Sequence, residues 1–216
     1  MATLLHMDAS VRPDSTSREL SGRFAERWAK GHPDGAVLRR DLAEDPLPHV
    51  TRTQAEFLMY GTREGEDKPE EVLRCERLVE ELRDADLLLM GMPMYNFTVP
   101  STVKAWIDHI AWPGYTFDPM AGHGLVDTPA VVILSRGGGY LPDSPRADFN
   151  FHETYLRKVF EFIGVTDVEF VPAELRLFVG EGSPDATLRD LGERSYTDAV
   201  DRIDALTPLD RADGSV

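Results

Sequence analysis

Short apolar runs alternate with amphipathic helical patterns along this chain, and this alternation restricts the possible fold more than any other feature. The clearest run, residues 87–92, is continuously apolar, as expected of a central parallel strand buried on both faces. Shorter runs predict four further strands, at residues 3–7, 36–39, 130–134 and 168–171. Helical patterns are found at residues 15–30, 69–85, 101–110, 152–163 and 185–206. Together they predict a parallel, doubly wound α/β sheet.

Five strands with intervening helices fit the strand order 2-1-3-4-5 or a six-stranded relative, and periodicity does not choose between them. In either arrangement, ligands bind beyond the carboxyl ends of the strands, where the strand order reverses. The loops after the first, third and fourth strands are therefore candidate binding loops. Residues 43–68 are polar and turn-rich, which predicts a surface excursion with a short helix at 54–60.

Length and charge restrict the classes of protein to be considered. A chain of 216 residues suits a single domain, 1–216, around one layered core. The net charge of −15 repels phosphates and anionic lipids, so neither nucleic acid nor a membrane surface is an expected partner. No apolar run approaches the roughly 20 residues that span a bilayer, and the N-terminus lacks the features of a signal peptide. We therefore expect a cytoplasmic protein.

Several side chains that could carry chemistry have an ordinary structural interpretation. The single cysteine, Cys75, excludes an internal disulfide and lies on the apolar stripe of its helix, so we expect it in the core. The six histidines are scattered without ligand spacing, so no metal site is predicted. Ser135 lacks the GxSxG context of a hydrolase nucleophile. No catalytic side chain is assigned.

The loop after the first strand carries four hydroxyl side chains close to the start of a predicted helix: Ser10, Ser15, Thr16 and Ser17. Free backbone N–H groups and the positive end of the helix dipole make such a place suitable for an anion. Neither GxGxxG nor GxxxxGK[ST] is present, so neither the usual dinucleotide fold nor a P-loop is indicated. Serine and threonine are also ordinary capping residues. This loop alone does not decide between the two interpretations.

The loop after the third strand is unusually rich in aromatic and polarisable side chains for a connection at the surface. It begins with Met94, Tyr95, Asn96 and Phe97. Methionine and aromatic rings pack well on a flat conjugated ring, and an asparagine offers it both a donor and an acceptor. The alternative is a loop that packs only against its own domain.

The loop after the fourth strand contains a run of glycines, in the sequence Ser135, Arg136, Gly137, Gly138. Successive glycines let backbone N–H groups approach a ligand closely and bind negative charge. We expect a positive φ at Gly137, which a β-branched side chain would not tolerate. A flexible turn could have the same sequence. The position of these glycines at the sheet edge, opposite the loop of Met94, is therefore the stronger argument for a binding loop.

The motifs of these loops resemble those of the FMN-dependent NADH:quinone oxidoreductases, also called FMN-dependent azoreductases. The first resemblance runs from Met94-Tyr95-Asn96-Phe97 to Gly114-Tyr115-Thr116-Phe117, and the second is Ser135-Arg136-Gly137-Gly138. Residues 162–168 are similar to the region of the last strand in that family. The resemblance extends over residues 4–205. At Asp118-Pro119-Met120 the chain departs from it, since members often have a basic residue and an aromatic there.

The resemblance implies a flavodoxin-like fold, one FMN per subunit and a homodimer whose interface builds the active site. It implies ping-pong transfer of hydride from NADH or NADPH to quinones, and to azo compounds in two rounds. The implied FMN ligands are Ser10, Ser15, Thr16 and Ser17 at the phosphate, Met94, Tyr95, Asn96 and Phe97 at the ring, and Ser135, Arg136, Gly137 and Gly138 at the pyrimidine edge. The apolar surplus at Trp106 and Trp112 also favours a dimer. Two alternatives stay open: a one-electron carrier of the flavodoxin type, and an FMN reductase specialised for one metabolite.

Overall fold

A five-stranded parallel sheet forms the centre of the protein. The structure is a computed structural model, and it describes residues 1–60, 67–179 and 185–206. The strands of the sheet are β1 (Thr3–Asp8), β2 (Ala36–Asp41), β3 (Leu87–Pro93), β6 (Ala130–Ser135) and β7 (Val168–Ala173). They lie in the order β2-β1-β3-β6-β7, and each neighbouring pair is parallel. The predicted order 2-1-3-4-5 is confirmed once the two strands of a separate antiparallel ribbon, β4 (Phe117–Asp118) and β5 (His123–Gly124), are set aside.

The predicted helices are all present, with ends that shift by one or two residues. They are α1 (Thr16–Gly31), α2 (Arg52–Tyr60), α3 (Glu70–Arg83), α4 (Ser101–Ile110), α5 (Phe151–Ile163) and α6 (Ala186–Ala205), and a short 3₁₀ helix spans Ala147–Phe149. β7 continues two residues past the predicted end at residue 171. Pro172 is tolerated there because β7 is an edge strand, where a missing N–H breaks no ladder. Within the described ranges, no helix is both long and apolar enough to cross a bilayer.

Two apolar clusters cover the two faces of the sheet. Neighbouring residues of one strand point to opposite sides, so that Leu88 belongs to one cluster and Leu89 to the other. The first cluster is closed by α3, α4 and α5, and the second by α1 and α6. This double coverage explains why β3 is apolar at every position. Cys75 is buried in the first cluster, as predicted, and burial raises the pKa of its thiol to about 11.

The two tryptophans that were expected to form an apolar surplus are instead part of the core. Trp106 and Trp112 are only 1% and 3% exposed. Trp112 stacks on Tyr115 with 4.2 Å between ring centroids, and Phe57 of α2 contacts it edge-on at 5.6 Å. The argument for a dimer from these tryptophans is therefore wrong, because α4 and the residues after it pack inward.

Candidate functional site

The three candidate loops meet at one edge of the sheet. They follow β1, β3 and β6, which are consecutive in the sheet order, and each of the first two begins with a backbone bond to the neighbouring strand. The amide of Ala9 donates to Gly91 O at 3.0 Å, and that of Met94 donates to Ser135 O at 2.8 Å. The prediction that these loops converge is therefore confirmed, and their chemistry can be considered together.

The N-terminus of α1 presents backbone amides that no group in the described ranges accepts from. The first helical bond runs from Glu19 N to Ser15 O at 3.1 Å, so the amides of residues 16–18 precede it. Within the described part of the chain these three amides donate to no acceptor. Ser15 caps the helix without a bond from its side chain, and its hydroxyl instead lies 2.8 Å from that of Ser17. The result is a set of hydroxyls and amides that fits an anion.

The backbone of this loop is held in place by Arg18. Its guanidinium donates to Ser10 O from Nε at 2.9 Å and from Nη2 at 2.6 Å, and it pairs with Asp41 at 2.5 Å. The hydroxyl of Ser10, which is buried, accepts from the amide of Arg12 at 3.2 Å. Arg18 therefore positions the loop and is not a freely solvated cation.

A buried carboxylate supports the same loop from below. Asp8 accepts a bond from the Ser21 hydroxyl at 2.8 Å and lies 3.4 Å from His6 Nε2. Burial opposes its ionisation, but His6, Ser21 and Arg18 together hold the pKa of Asp8 below its usual value. Gly91 leaves room for this contact, since a Cβ there would lie 2.6 Å from Ser21 Oγ.

The loop after β3 contains a tight turn in an uncommon conformation. Tyr95 and Thr98 exchange backbone bonds at 3.0 and 3.1 Å, and the two residues between them have positive φ values, 48° for Asn96 and 73° for Phe97. Asparagine tolerates this conformation, but for phenylalanine it costs on the order of 1–3 kcal/mol. Backbone strain of this kind concentrates at functional sites. In this turn the side chain of Phe97 is 41% exposed.

Aromatic rings surround the exposed side of this turn. Phe97 lies 5.2 Å from Phe149 and 6.4 Å from Tyr140, measured between centroids. Phe149 and Phe151 are also about half exposed. A neighbouring cleft of about 540 Å³ includes Tyr95, Asn96, Lys104 and Tyr155 in its lining. The edge of the sheet thus offers flat apolar surface beside polar groups, as small-molecule sites do.

In the glycine loop, residues 135–139, most backbone carbonyls are hydrogen-bonded within the described chain and the backbone amides of the glycines are not. The carbonyls of Arg136, Gly137 and Gly138 accept bonds from the amides of residues 176, 177 and 175, at 3.0, 3.3 and 3.2 Å. The amides of residues 137–139 have no acceptor among the described residues. Three consecutive free N–H groups are a suitable donor set for an electron-rich ring edge.

The expected positive φ at Gly137 is not observed, because its φ lies outside the left-handed region. What favours glycine there is space: a Cβ would lie 2.7 Å from Leu177 Cδ1. Leu177 is 79% exposed, so its side chain can move aside. The prediction that backbone strain would exclude a side chain at Gly137 is therefore wrong.

Arg136 occupies a different place from the one predicted for it at the ligand. Its side chain is fully buried and pairs with Glu174 at 2.9 Å and Glu153 at 3.2 Å, and its amide donates to Ala173 O. Glu174 in turn accepts from the amides of Tyr140 at 2.9 Å and Leu141 at 3.3 Å. The pair therefore anchors the glycine loop from inside the protein.

His152 lies beside this pair and is fully buried. Neither ring nitrogen has a hydrogen-bond partner among the described residues. Burial and the charge of Arg136 lower its pKa to about 3, so the imidazole is neutral at physiological pH. Among the described residues, no group of three or more His, Cys, Asp or Glu side chains is arranged to hold a metal.

Among the site residues that were missed from the sequence are Glu174 and Arg176, both beyond the carboxyl end of β7. Arg176 Nε donates to Thr16 Oγ1 at 3.3 Å. It thus reaches the hydroxyl loop, the segment after β1 that carries Ser10, Ser15, Thr16 and Ser17. A signal was available, because the carboxyl ends of all parallel strands meet at one sheet edge. The loop after the last strand belonged in the search for that reason.

Comparison with known proteins agrees with this description. A family model described as the flavodoxin-like fold matches residues 2–194, which defines the structural class. The FMN-dependent NADH:quinone oxidoreductase of Streptomyces coelicolor is 40% identical over 222 residues, covering 99% of each chain. FMN-dependent NADH:quinone oxidoreductase 2 of Trichormus variabilis is 41% identical, covering 94% of this chain and 97% of its own. The chain belongs to the family of FMN-dependent NADH:quinone oxidoreductases.

Solved structures share the fold at lower identity. The azoreductase of Bacillus anthracis str. Sterne superposes with a TM-score of 0.82 at 24% identity, covering 96% of this chain and 99% of the other. An FMN-dependent NADH-azoreductase from Bacillus anthracis str. Ames Ancestor, solved in complex with FMN, has a TM-score of 0.78 at 20% identity, covering 95% and 99%. These likenesses extend over nearly the whole of both chains.

Proposed function

We propose that this chain binds FMN and uses it to pass hydride from NADH or NADPH to quinones and azo compounds by a ping-pong mechanism. The observation that carries the proposal is the convergence, at one sheet edge, of two sets of backbone amides without acceptors in the described chain. One set is at the N-terminus of α1 and the other in the glycine loop. Membership of the FMN-dependent NADH:quinone oxidoreductase family supports the same assignment.

The residues present fit the parts of FMN. The phosphate would be held by Ser10, Ser15, Thr16 and Ser17 together with the free amides of α1, whose positive end favours a dianion. Met94, Tyr95, Asn96 and Phe97 would line the isoalloxazine ring. Ser135, Gly137 and Gly138 would bind its pyrimidine edge, with Arg136 fixing their backbone from below.

The bound flavin would supply hydride transfer, and the protein would supply position and charge. The amides of residues 137–139 would donate to the pyrimidine edge of bound FMN, where negative charge accumulates when a flavin is reduced. The strained turn holds Phe97 half exposed, so that a flat donor or acceptor has a surface on which to stack. Arg18 would hold the loop in place for the phosphate through its bonds to Ser10 O, and the buried Asp8 accepts a bond from Ser21 of the helix that follows.

Initial rates at several fixed quinone concentrations test this mechanism. Because one substrate must leave before the next binds, we expect parallel lines in double-reciprocal plots against NADH. Anaerobic titration of the FMN-loaded protein with dithionite, which supplies electrons one at a time, should give a single isosbestic transition, since a two-electron reductase takes up both electrons within one step. Intersecting lines would contradict ping-pong transfer, and two successive spectral transitions would favour the one-electron carrier.

We also propose that residues 1–216 form one FMN-binding domain that assembles as a homodimer. The supporting surface is the half-exposed group of Phe97, Phe149 and Phe151 at the edge of the site. Sedimentation at micromolar concentration should give the mass of two chains, and a fully active monomer would contradict the proposal. The cytoplasmic location, and the expectation of neither nucleic-acid nor membrane partners, stay predictions from the sequence.

A further inference from the structure

Arg176 brings a positive charge to the N-terminus of α1 from the opposite end of the chain. Its Nε donates to the hydroxyl of Thr16 at 3.3 Å, and its Nη1 donates to Gly192 O of α6 at 3.2 Å. Its guanidinium lies 4.8 Å from the ring centroid of Tyr196. These three contacts fix the head group beside the hydroxyl loop without neutralising it.

Among the described residues no carboxylate forms an ion pair with Arg176, and Glu19 and Glu193 act on its charge only from farther away. In the part of the chain that the structure describes, no carboxylate oxygen lies within 4.0 Å of its nitrogens. Partial burial lowers the pKa of its guanidinium, which nevertheless stays charged near neutral pH. A partly buried cation whose carboxylates lie beyond ion-pair distance keeps donors and charge that an anion can use.

The other two arginines at this loop are already paired. Arg12 forms an exposed ion pair with Asp14 at 3.0 Å, and Arg18 pairs with Asp41. Of the three arginines that contact the hydroxyl loop in the described chain, Arg176 is thus the one whose charge is left for a ligand.

The backbone holds Arg176 at this place. Leu175 has a φ of 59°, an uncommon value for a leucine, and the amides of residues 175–177 are bonded to the carbonyls of the glycine loop. On the other side Gly192 lets α6 approach, because a Cβ there would lie 3.0 Å from Leu175 O. The position of the guanidinium is therefore coupled to the loop proposed to bind the pyrimidine edge.

We propose that Arg176 binds the phosphate group of FMN and makes this site select phosphorylated flavin over riboflavin. The inference rests on the proposed function. It adds a charged contact to a site whose other donors, hydroxyls and amides, are neutral. An arginine beside such donors is well suited to a phosphate, because its planar fork donates two parallel bonds.

Equilibrium titration of the full-length protein with FMN and, separately, with riboflavin tests this assignment through flavin fluorescence. For Arg176→Ala we expect roughly 10- to 100-fold weaker FMN binding, as for the loss of a charge-assisted hydrogen bond. Riboflavin binding should change by less than about twofold, because it has no phosphate to lose. Arg176→Lys should retain part of the FMN affinity. Raising the salt concentration should weaken FMN binding less in Arg176→Ala than in the wild type.

Arg23→Ala is the matched control. It also removes one arginine charge, but Arg23 lies in α1 and pairs with Asp204. It should leave both affinities close to wild type. Equal losses for FMN and riboflavin in Arg176→Ala, with a lowered melting temperature, would assign Arg176 a purely structural role. Unchanged FMN affinity would also overturn the inference. A wild-type protein that binds neither flavin would instead refute the proposed function itself.

Discussion

Replacing Arg136 by methionine should lower the free energy of unfolding by about 3–5 kcal/mol, the usual cost of breaking a buried ion pair from one side. The guanidinium is fully buried between Glu174 and Glu153. Methionine fills much of the same volume, so the loss is one of charge compensation more than of packing. Glu174 would remain buried, and its remaining hydrogen-bond donors in the described chain would be the amides of Tyr140 and Leu141.

The matched control is Arg77→Met, which breaks an ion pair with Glu70 in which both side chains are more than half exposed. Pairs of this kind contribute about 0–1 kcal/mol, so the control should unfold almost like the wild type. Urea denaturation of both variants measures the difference. If Arg136→Met were as stable as Arg77→Met, the buried network would not be what anchors the glycine loop.

A second large effect is expected at Gly124, where an added methyl group would overlap the backbone of another segment. A Cβ there would lie 1.9 Å from Gly164 N and 2.1 Å from the carbonyl carbon of Ile163. The two backbone segments approach so closely because the amide of Val126 donates to Ile163 O at 2.9 Å. Backbone cannot swing aside as a side chain can, so Gly124→Ala should cost about 3 kcal/mol or more, at the upper end for overpacking.

Gly22→Ala is the control for this substitution. Gly22 lies inside α1, and a Cβ there would meet nothing within 4 Å. Alanine in a helix interior should stabilise the protein by roughly 0.5–1 kcal/mol. Thermal unfolding should therefore shift in opposite directions for the two variants. A Gly124→Ala protein with an unchanged melting temperature would mean that the ribbon of β4 and β5 does not pack against the end of α5 as described.

The sheet and its helices could be predicted because their signals are long and repeated. β3 is apolar throughout, and α3 places Val72, Cys75, Val79 and Leu82 on one stripe, so neither needed tertiary information. The ribbon of β4 and β5 could not be predicted, since strands of two residues are too short to show a period. Gly124 looks in the sequence like any turn glycine, and its role depends on an approach to Gly164, forty residues away.

The candidate site also has one part that the sequence predicted and another that it did not. The convergence of the three loops follows from the topology of a parallel sheet and was predicted. The partners of Arg136 and Arg176 were not, because each contact joins residues far apart in the chain: Arg136 with Glu174, and Arg176 with Thr16. Sequence patterns identify which residue types lie at a sheet edge. They do not show which charges are neutralised there and which are left for a ligand.

The most direct test of the assignment is FMN-dependent oxidation of NADH by a quinone, followed through the loss of NADH absorbance. The purified protein should consume NADH at a high rate only when both FMN and quinone are present, with one NADH oxidised for each quinone reduced. FAD should not replace FMN, since the site has no fingerprint for a second phosphate. An unchanged rate without flavin, or no quinone-dependent oxidation by the FMN-loaded protein, would contradict the assignment.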